Sequence, residues 1–101
     1  MKIRDILNKD TATISFEVFP PKKSTDFGNV EAAALGIAAL QPAYMSVTYG
    51  AGGSTKGHTI ALAEEIQKKH NVPTVAHLTC VCADRSSIGA ALTGTQAAGI
   101  E

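Results

Sequence analysis

The stretch that decides the fold runs from Tyr44 to Thr55 and reads YMSVTYGAGGST. Its first half, Tyr44–Tyr49, is rich in β-branched and aromatic residues and predicts a strand. The glycine-rich second half predicts a turn, and Ser54 or Thr55 can serve as the N-cap of a helix that ends at His70. A strand, a short turn and a helix in this order form one βα unit.

Similar units flank this one on both sides. The predicted strands of the three units are Thr13–Phe19, Tyr44–Tyr49 and Thr74–Cys80. The predicted helices are Phe27–Leu40 with Thr25 or Asp26 as its N-cap, the helix that ends at His70, and one that begins near Asp84 or Ser86 and ends before Gly99. Strands that alternate with helices and are joined by crossovers of a dozen or more residues predict a parallel sheet.

All three predicted strands alternate between apolar and polar residues, so one face of the sheet is apolar and the other polar. The apolar positions are Ile14, Phe16, Val18, Met45, Val47, Tyr49, Ala76, Leu78 and Cys80. On the polar face, Glu17, Thr48 and His77 come late in their strands, at intervals close to one unit of an eight-unit barrel of about 250 residues. The pattern therefore predicts an α/β fold that forms part of a (β/α)8 TIM barrel, with about three βα units. An open three-stranded layer with a solvent-exposed polar face is the alternative.

Bulk composition excludes several classes of protein. Nine basic and nine acidic residues give a formal net charge of zero, which lacks the electrostatic signature of a nucleic-acid-binding protein. No apolar run approaches the roughly 18 residues of a membrane span, and residues 1–10 contain no signal-peptide core. Cys80 and Cys82 are too close in sequence for a framework disulfide, and we expect a reducing, cytoplasmic location.

Glu17 is the most informative charged residue. Phe16, Val18 and Phe19 surround it in sequence. A carboxyl group that these neighbours desolvate favours its protonated form, which suits a general acid near neutral pH. The alternative is a structural ion pair with Lys22 or Lys23.

The turn at residues 50–57, GAGGSTKG, matches neither the P-loop, nor the dinucleotide fingerprint, nor the nucleophile elbow. Its exposed backbone N–H groups before a helix can accept an anion or let a flat ring approach, although a simple flexible turn explains the glycines equally well. His77 is either a core histidine or a cofactor contact, and we interpret His58 and His70 as surface residues. His77 and Cys80 point to opposite faces of a strand, so we predict no metal site, and Cys80 is expected in the core.

Three segments in order resemble the methylenetetrahydrofolate reductase family. They are Ser15–Pro21 (SFEVFPP), Ser46–Thr55 (SVTYGAGGST) and Ala76–Cys80 (AHLTC), and the resemblance runs from about Ile14 to Ile100. The family consists of FAD-containing (β/α)8 barrels. The resemblance implies that residues 1–101 form the N-terminal segment of a single such domain, which we expect to be too short for activity by itself.

The resemblance also implies a function and the residues that carry it. The expected reaction is reduction of 5,10-methylenetetrahydrofolate to 5-methyltetrahydrofolate by flavin and NAD(P)H, within one-carbon metabolism and methionine synthesis. Glu17 matches the catalytic glutamate that protonates the folate, and the matches to cofactor contacts are Thr48, Tyr49, Ala51 and His77. A homo-oligomer is expected.

Two other functional classes are compatible with the same segments. The chain could be a non-catalytic assembly module that self-associates through its open sheet edges, since unpaired edges pair readily with another chain. It could also be part of a metal-dependent methyltransferase barrel of one-carbon metabolism.

Overall fold

A computed structural model describes residues 1–49 and 56–101 of the chain. The strands are β1 (Ser15–Val18), β2 (Tyr44–Val47) and β3 (Thr74–Ala76). The helices are α1 (Ile3–Leu7), α2 (Phe27–Ala38), α3 (Lys56–His70) and α4 (Arg85–Ala97), with a short 3-10 turn at Ser24–Asp26 before α2. The three predicted βα units are therefore confirmed, whereas the five-residue α1 is too short for a periodic sequence pattern to reveal.

The described strands form one parallel sheet in the order β1-β2-β3. Phe16 lies opposite Met45, and Val18 opposite Val47. This open parallel sheet is the arrangement expected for a segment of a (β/α)8 barrel, and it confirms the predicted fold class.

Helices α2 and α3 cover the apolar face of the sheet and bury a small core there. Its buried members are Val18, Ala34, Ala38, Met45, Val47, Leu62, Ala63, Ile66, Val72 and Ile100. Helix α4 contributes no buried residue, and its Leu92 is 58% exposed. The core therefore lies between β2 and the α2–α3 pair, while α4 packs loosely outside it.

The predicted apolar face is buried at the centre of the sheet and at Val18 of β1, and it is partly exposed elsewhere at the margins. Met45 and Val47 of the central strand are fully buried. Ile14 is 67% exposed and Phe16 38% exposed, because β1 has a paired neighbour on one side only among the described strands. Leu78 is 37% exposed because β3 ends at Ala76, two residues before it.

The strands are shorter than predicted for local reasons. Pro20 follows β1 closely and has no backbone N–H to offer a ladder. After β3 the chain turns instead of continuing to Cys80: the Ala83 N–H donates to the Cys80 carbonyl at 3.2 Å, and Cys82 has a φ of +55°. The thiols of both cysteines are free and exposed, so the prediction that Cys80 belongs to the core is wrong.

The helix ends largely follow the sequence signals. Asp84 caps α4 by accepting a hydrogen bond from the Ser87 N–H at 2.7 Å, while the Ser87 hydroxyl accepts one from the Asp84 N–H at 3.0 Å. Gly99 lies just beyond α4 at a φ of +73°, as its position predicts. Helix α2 begins at Phe27, as predicted, but Asp26 makes no side-chain capping bond. The proposed caps of α3, Ser54 and Thr55, lie outside the described residues.

An ion pair joins α3 to α2. Lys69 of α3 contacts Glu65 at 3.0 Å and Glu31 of α2 at 3.3 Å. The hydrogen bond to Glu65, followed by that to Glu31, raises the pKa of Lys69 above its usual value of 10.5. Within residues 1–49 and 56–101, no helix has both the length and the apolar character needed to cross a bilayer.

Candidate active site

The candidate site lies on the sheet face that the helices leave uncovered, at the carboxyl ends of the strands. Glu17 of β1 is the direct cross-strand partner of Ser46 of β2, so both side chains occupy the same face. Thr48 and His77 each stand one residue beyond their strand and continue the ladder, since their N–H groups donate to Val18 and Val47 carbonyls at 3.0 Å. Parallel pairing therefore brings three strand ends together.

The Glu17 carboxylate is held through one of its two oxygens. The Ser46 hydroxyl donates to Oε2 at 2.9 Å, and His77 Nε2 lies 3.8 Å from the same oxygen. No ion pair joins Glu17 to Lys22 or Lys23 in the part of the chain that the structure describes. The pairing with either lysine, the alternative considered for this residue, is therefore wrong.

The site is open to solvent. The Glu17 side chain is 49% exposed and that of His77 42% exposed. The desolvation expected from the apolar neighbours of Glu17 is thus absent, because Phe16 and Val18 point to the opposite face of the strand and Phe19 is 69% exposed. This chain positions the carboxyl group but does not bury it.

Thr48 and Tyr49, predicted cofactor contacts, lie at the end of β2 and are both half-buried. The Thr48 backbone is fixed from the helix side, where the hydroxyl of the buried Thr59 donates to the Thr48 carbonyl at 2.9 Å. The third predicted contact near this turn, Ala51, lies outside the described residues together with the glycine turn itself.

His58 has a structural environment that the sequence did not reveal. It was interpreted as a surface residue, but it is half-buried in the first turn of α3. Its Nδ1 lies 2.9 Å from the Pro21 carbonyl oxygen, and its ring packs at 5.5 Å from that of Phe27. Because a carbonyl only accepts, Nδ1 donates this bond. His58 therefore anchors the segment that follows β1 to the start of α3.

Ser46 is the site residue that sequence reasoning missed. The alternation placed its side chain on the polar face, yet a serine among other polar strand residues carries no chemical signature. Only the register that sets it opposite Glu17 shows what it contacts. Thr79, two residues past His77, has a buried hydroxyl oxygen that finds no hydrogen-bond partner among the described residues.

Other features lie away from this site. An open pocket of about 480 Å³ lies at the amino ends of the strands, away from the candidate site. Its lining includes Thr13, Ala43 and Pro73, which precede the three strands. Among the described residues, no group of three or more His, Cys, Asp or Glu side chains is placed to hold a metal ion.

Parallel βα units with an acid, hydroxyl groups and an imidazole at the carboxyl ends of the strands are the arrangement found in a segment of a TIM-barrel protein. Comparison of the sequence with known protein families identifies the family within this class. The family model for methylenetetrahydrofolate reductase matches residues 2–101, and the chain belongs to that family. This membership decides against the metal-dependent methyltransferase alternative.

Curated relatives agree with the family match. "Methylenetetrahydrofolate reductase 2" of Schizosaccharomyces pombe is 36% identical over 99% of this chain and 16% of its own length. "5,10-methylenetetrahydrofolate reductase" of Buchnera aphidicola subsp. Schizaphis graminum is 34% identical over 84% of this chain and 31% of its own length. "Methylenetetrahydrofolate reductase (NADH) 1" of Arabidopsis thaliana is 32% identical over 99% of this chain and 17% of its own length. The chain thus spans between about a sixth and a third of these relatives.

Proposed function

We propose that this chain supplies part of the active site of a flavin-dependent reductase that converts 5,10-methylenetetrahydrofolate to 5-methyltetrahydrofolate. The observation that carries the proposal is the convergence of Glu17, Ser46 and His77 at adjacent strand ends, in a chain of this family. Residues 1–101 would form the N-terminal segment of a single (β/α)8 domain. Such a protein would act in one-carbon metabolism and methionine synthesis.

Glu17 is the proposed general acid. Its carboxyl group stands at the carboxyl end of β1, where TIM barrels bind their substrates, and it is accessible from the uncovered face. Its role would be to protonate a nitrogen of the folate so that the five-membered ring opens and becomes a hydride acceptor. The solvent exposure found here would end when substrate and the rest of a barrel cover this face.

The polar groups around Glu17 support the proposal of a bound flavin. Thr48, Tyr49 and His77 line adjacent strand ends with hydrogen-bonding groups, and the buried hydroxyl of Thr79 is without a partner in the described chain. We propose that the residues that hold FAD are Thr48, Tyr49, Ala51 and His77. When bound, FAD would supply the hydride chemistry, and NAD(P)H would reduce it again after each turnover. The Arabidopsis relative carries NADH in its name, so both nicotinamide cofactors merit comparison.

The test uses the full-length protein that contains this chain. Wild type is expected to show bound flavin in its absorbance spectrum. Glu17→Gln, which keeps the size of the side chain but cannot donate a carboxyl proton, is expected to slow folate reduction by roughly a hundredfold or more. Flavin reduction by the nicotinamide cofactor should keep its wild-type rate.

The matched control is Glu64→Gln, the same change on the helix layer, which should leave both half-reactions intact. Folate reduction that survives Glu17→Gln contradicts the role of Glu17, and a full-length protein without flavin contradicts the proposed function as a whole.

A second candidate function, an assembly module, is favoured by one observation. Ile14, Phe16 and Leu40 lie exposed around the open edge of β1, and Leu40 is 73% exposed. We propose self-association of the chain through this edge, which would give a homo-oligomer.

For location we propose the cytoplasm, because the free, exposed Cys80 and Cys82 suit a reducing compartment.

A further inference from the structure

We propose that Ser46 is a positioning residue that divides the Glu17 carboxyl group into a fixed oxygen, Oε2, and a proton-donating oxygen, Oε1. The inference rests on the proposed role of Glu17 and adds a residue and an atomic assignment to it.

The contacts of the carboxyl group support this division. The Ser46 hydroxyl donates to Oε2 at 2.9 Å, and His77 Nε2 faces the same atom at 3.8 Å. Among the described residues, both polar contacts of Glu17 thus fall on one oxygen. In a carboxylic acid the carbonyl oxygen is the stronger acceptor, so a hydrogen bond accepted by Oε2 favours the proton on Oε1, which is then the atom presented to a substrate.

The position of Ser46 makes this contact rigid. Ser46 lies in the central strand of the described sheet, between Met45 and Val47, which are both fully buried. Its backbone pairs directly with that of Glu17 across the β1–β2 ladder. A hydroxyl on this strand can therefore hold the carboxyl group in one rotamer without a large entropic cost at the moment of reaction.

The hydroxyl also acts on the charge that develops during proton transfer. The O–H bond at Oε1 breaks, its electron pair stays on the carboxylate, and an N–H bond forms on the folate. The Ser46 hydroxyl already points at Oε2, so it meets the negative charge that the carboxylate gains in this step without reorganisation at the moment of reaction. The two side chains described next to the Glu17 carboxylate are Ser46 and His77. His77 is the titratable member of this pair, and its Nε2 faces Oε2, the oxygen that Ser46 contacts.

The test compares Ser46→Ala with Ser46→Thr in the full-length flavoprotein. Ser46→Ala is expected to slow the folate half-reaction about tenfold, the effect of one hydrogen bond to a charged acceptor. Ser46→Thr keeps the hydroxyl on a β-branched residue that suits a strand, and should restore the rate of the folate half-reaction.

Two controls separate positioning from a structural role. Flavin reduction by the nicotinamide cofactor should be unchanged in Ser46→Ala, and Ser86→Ala on the exposed face of α4 should behave as wild type throughout. Equal loss of both half-reactions, or a wild-type rate of folate reduction in Ser46→Ala, overturns the inference.

A readout that needs no catalysis distinguishes this inference from the proposed function. With 13C-labelled glutamate, the carboxyl-carbon resonance of Glu17 is assigned by its disappearance in Glu17→Gln. It should move in Ser46→Ala and stay near its wild-type position in Ser46→Thr. If wild type reduces no folate, the proposed function fails, and this resonance alone decides whether Ser46 binds Glu17; an unmoved resonance in Ser46→Ala refutes the contact.

Discussion

Thr59 joins the helix layer to the strand end that carries Thr48. It is fully buried in the first turns of α3, and its hydroxyl donates to the Thr48 carbonyl at 2.9 Å. This bond fixes the backbone from behind while the Thr48 side chain faces the site. The carbonyl receives this bond from a fully buried hydroxyl, so the loss of the donor leaves it with a cost of desolvation.

Thr59→Val tests this link, because valine has nearly the same shape but no hydroxyl. We expect the free energy of unfolding to fall by about 1–3 kcal/mol in urea denaturation. Thr93→Val is the matched control: its hydroxyl donates to the Gly89 carbonyl on the exposed side of α4, and a surface change of this kind is expected to stay within about 0.5 kcal/mol. If both substitutions change the free energy of unfolding equally, the Thr59 hydrogen bond contributes no more to stability than the exposed Thr93 bond.

Among the elements, α4 is the one whose stability depends most on its own sequence. It buries no residue, so packing contributes little and its ends and interior matter more. The reciprocal bonds between Asp84 and Ser87 cap its start, and Gly99 at positive φ closes its end. Its interior glycines lower its helix propensity by about 1 kcal/mol each relative to alanine.

One substitution made at two glycines should have opposite effects. Gly89→Ala places a Cβ in open space inside α4 and is expected to stabilise the protein by about 1 kcal/mol. Gly99→Ala meets only an ordinary contact with Gln67 Nε2 at 3.5 Å, but its φ of +73° strains any L side chain. We expect it to destabilise by about 1–2 kcal/mol. Thermal unfolding of both variants checks the pair, and a shift of the same sign in both contradicts this account of α4.

At the scale of the molecule, the sequence predicted the secondary-structure elements, which depend on local periodicity. It missed burial and cross-strand contacts, which depend on residues distant in sequence. The alternation in Tyr44–Val47 and the cap at Asp84 are local signals, and both gave the correct element. The burial of Cys80 and the desolvation of Glu17 were inferred as if β3 continued and the polar face were covered. In the described chain Cys80 is exposed and the Glu17 side chain is 49% exposed. The contact between Ser46 and Glu17 depends on the register of a parallel pair 29 residues apart, which local patterning does not encode.

The edge of the sheet at β1 leads to a prediction about the behaviour of the whole chain in solution. Ile14, Phe16 and Leu40 form an exposed apolar strip beside β1, and an edge strand with unpaired backbone groups is a template for pairing. We expect the sedimentation coefficient of the 101-residue chain to rise with concentration. Leu40→Lys should abolish that rise, because a lysine at an edge opposes association. Leu92→Lys, at a similarly exposed leucine on α4, should leave it unchanged. A wild-type chain that stays monomeric, or equal effects of the two lysines, would rule out association through the β1 edge.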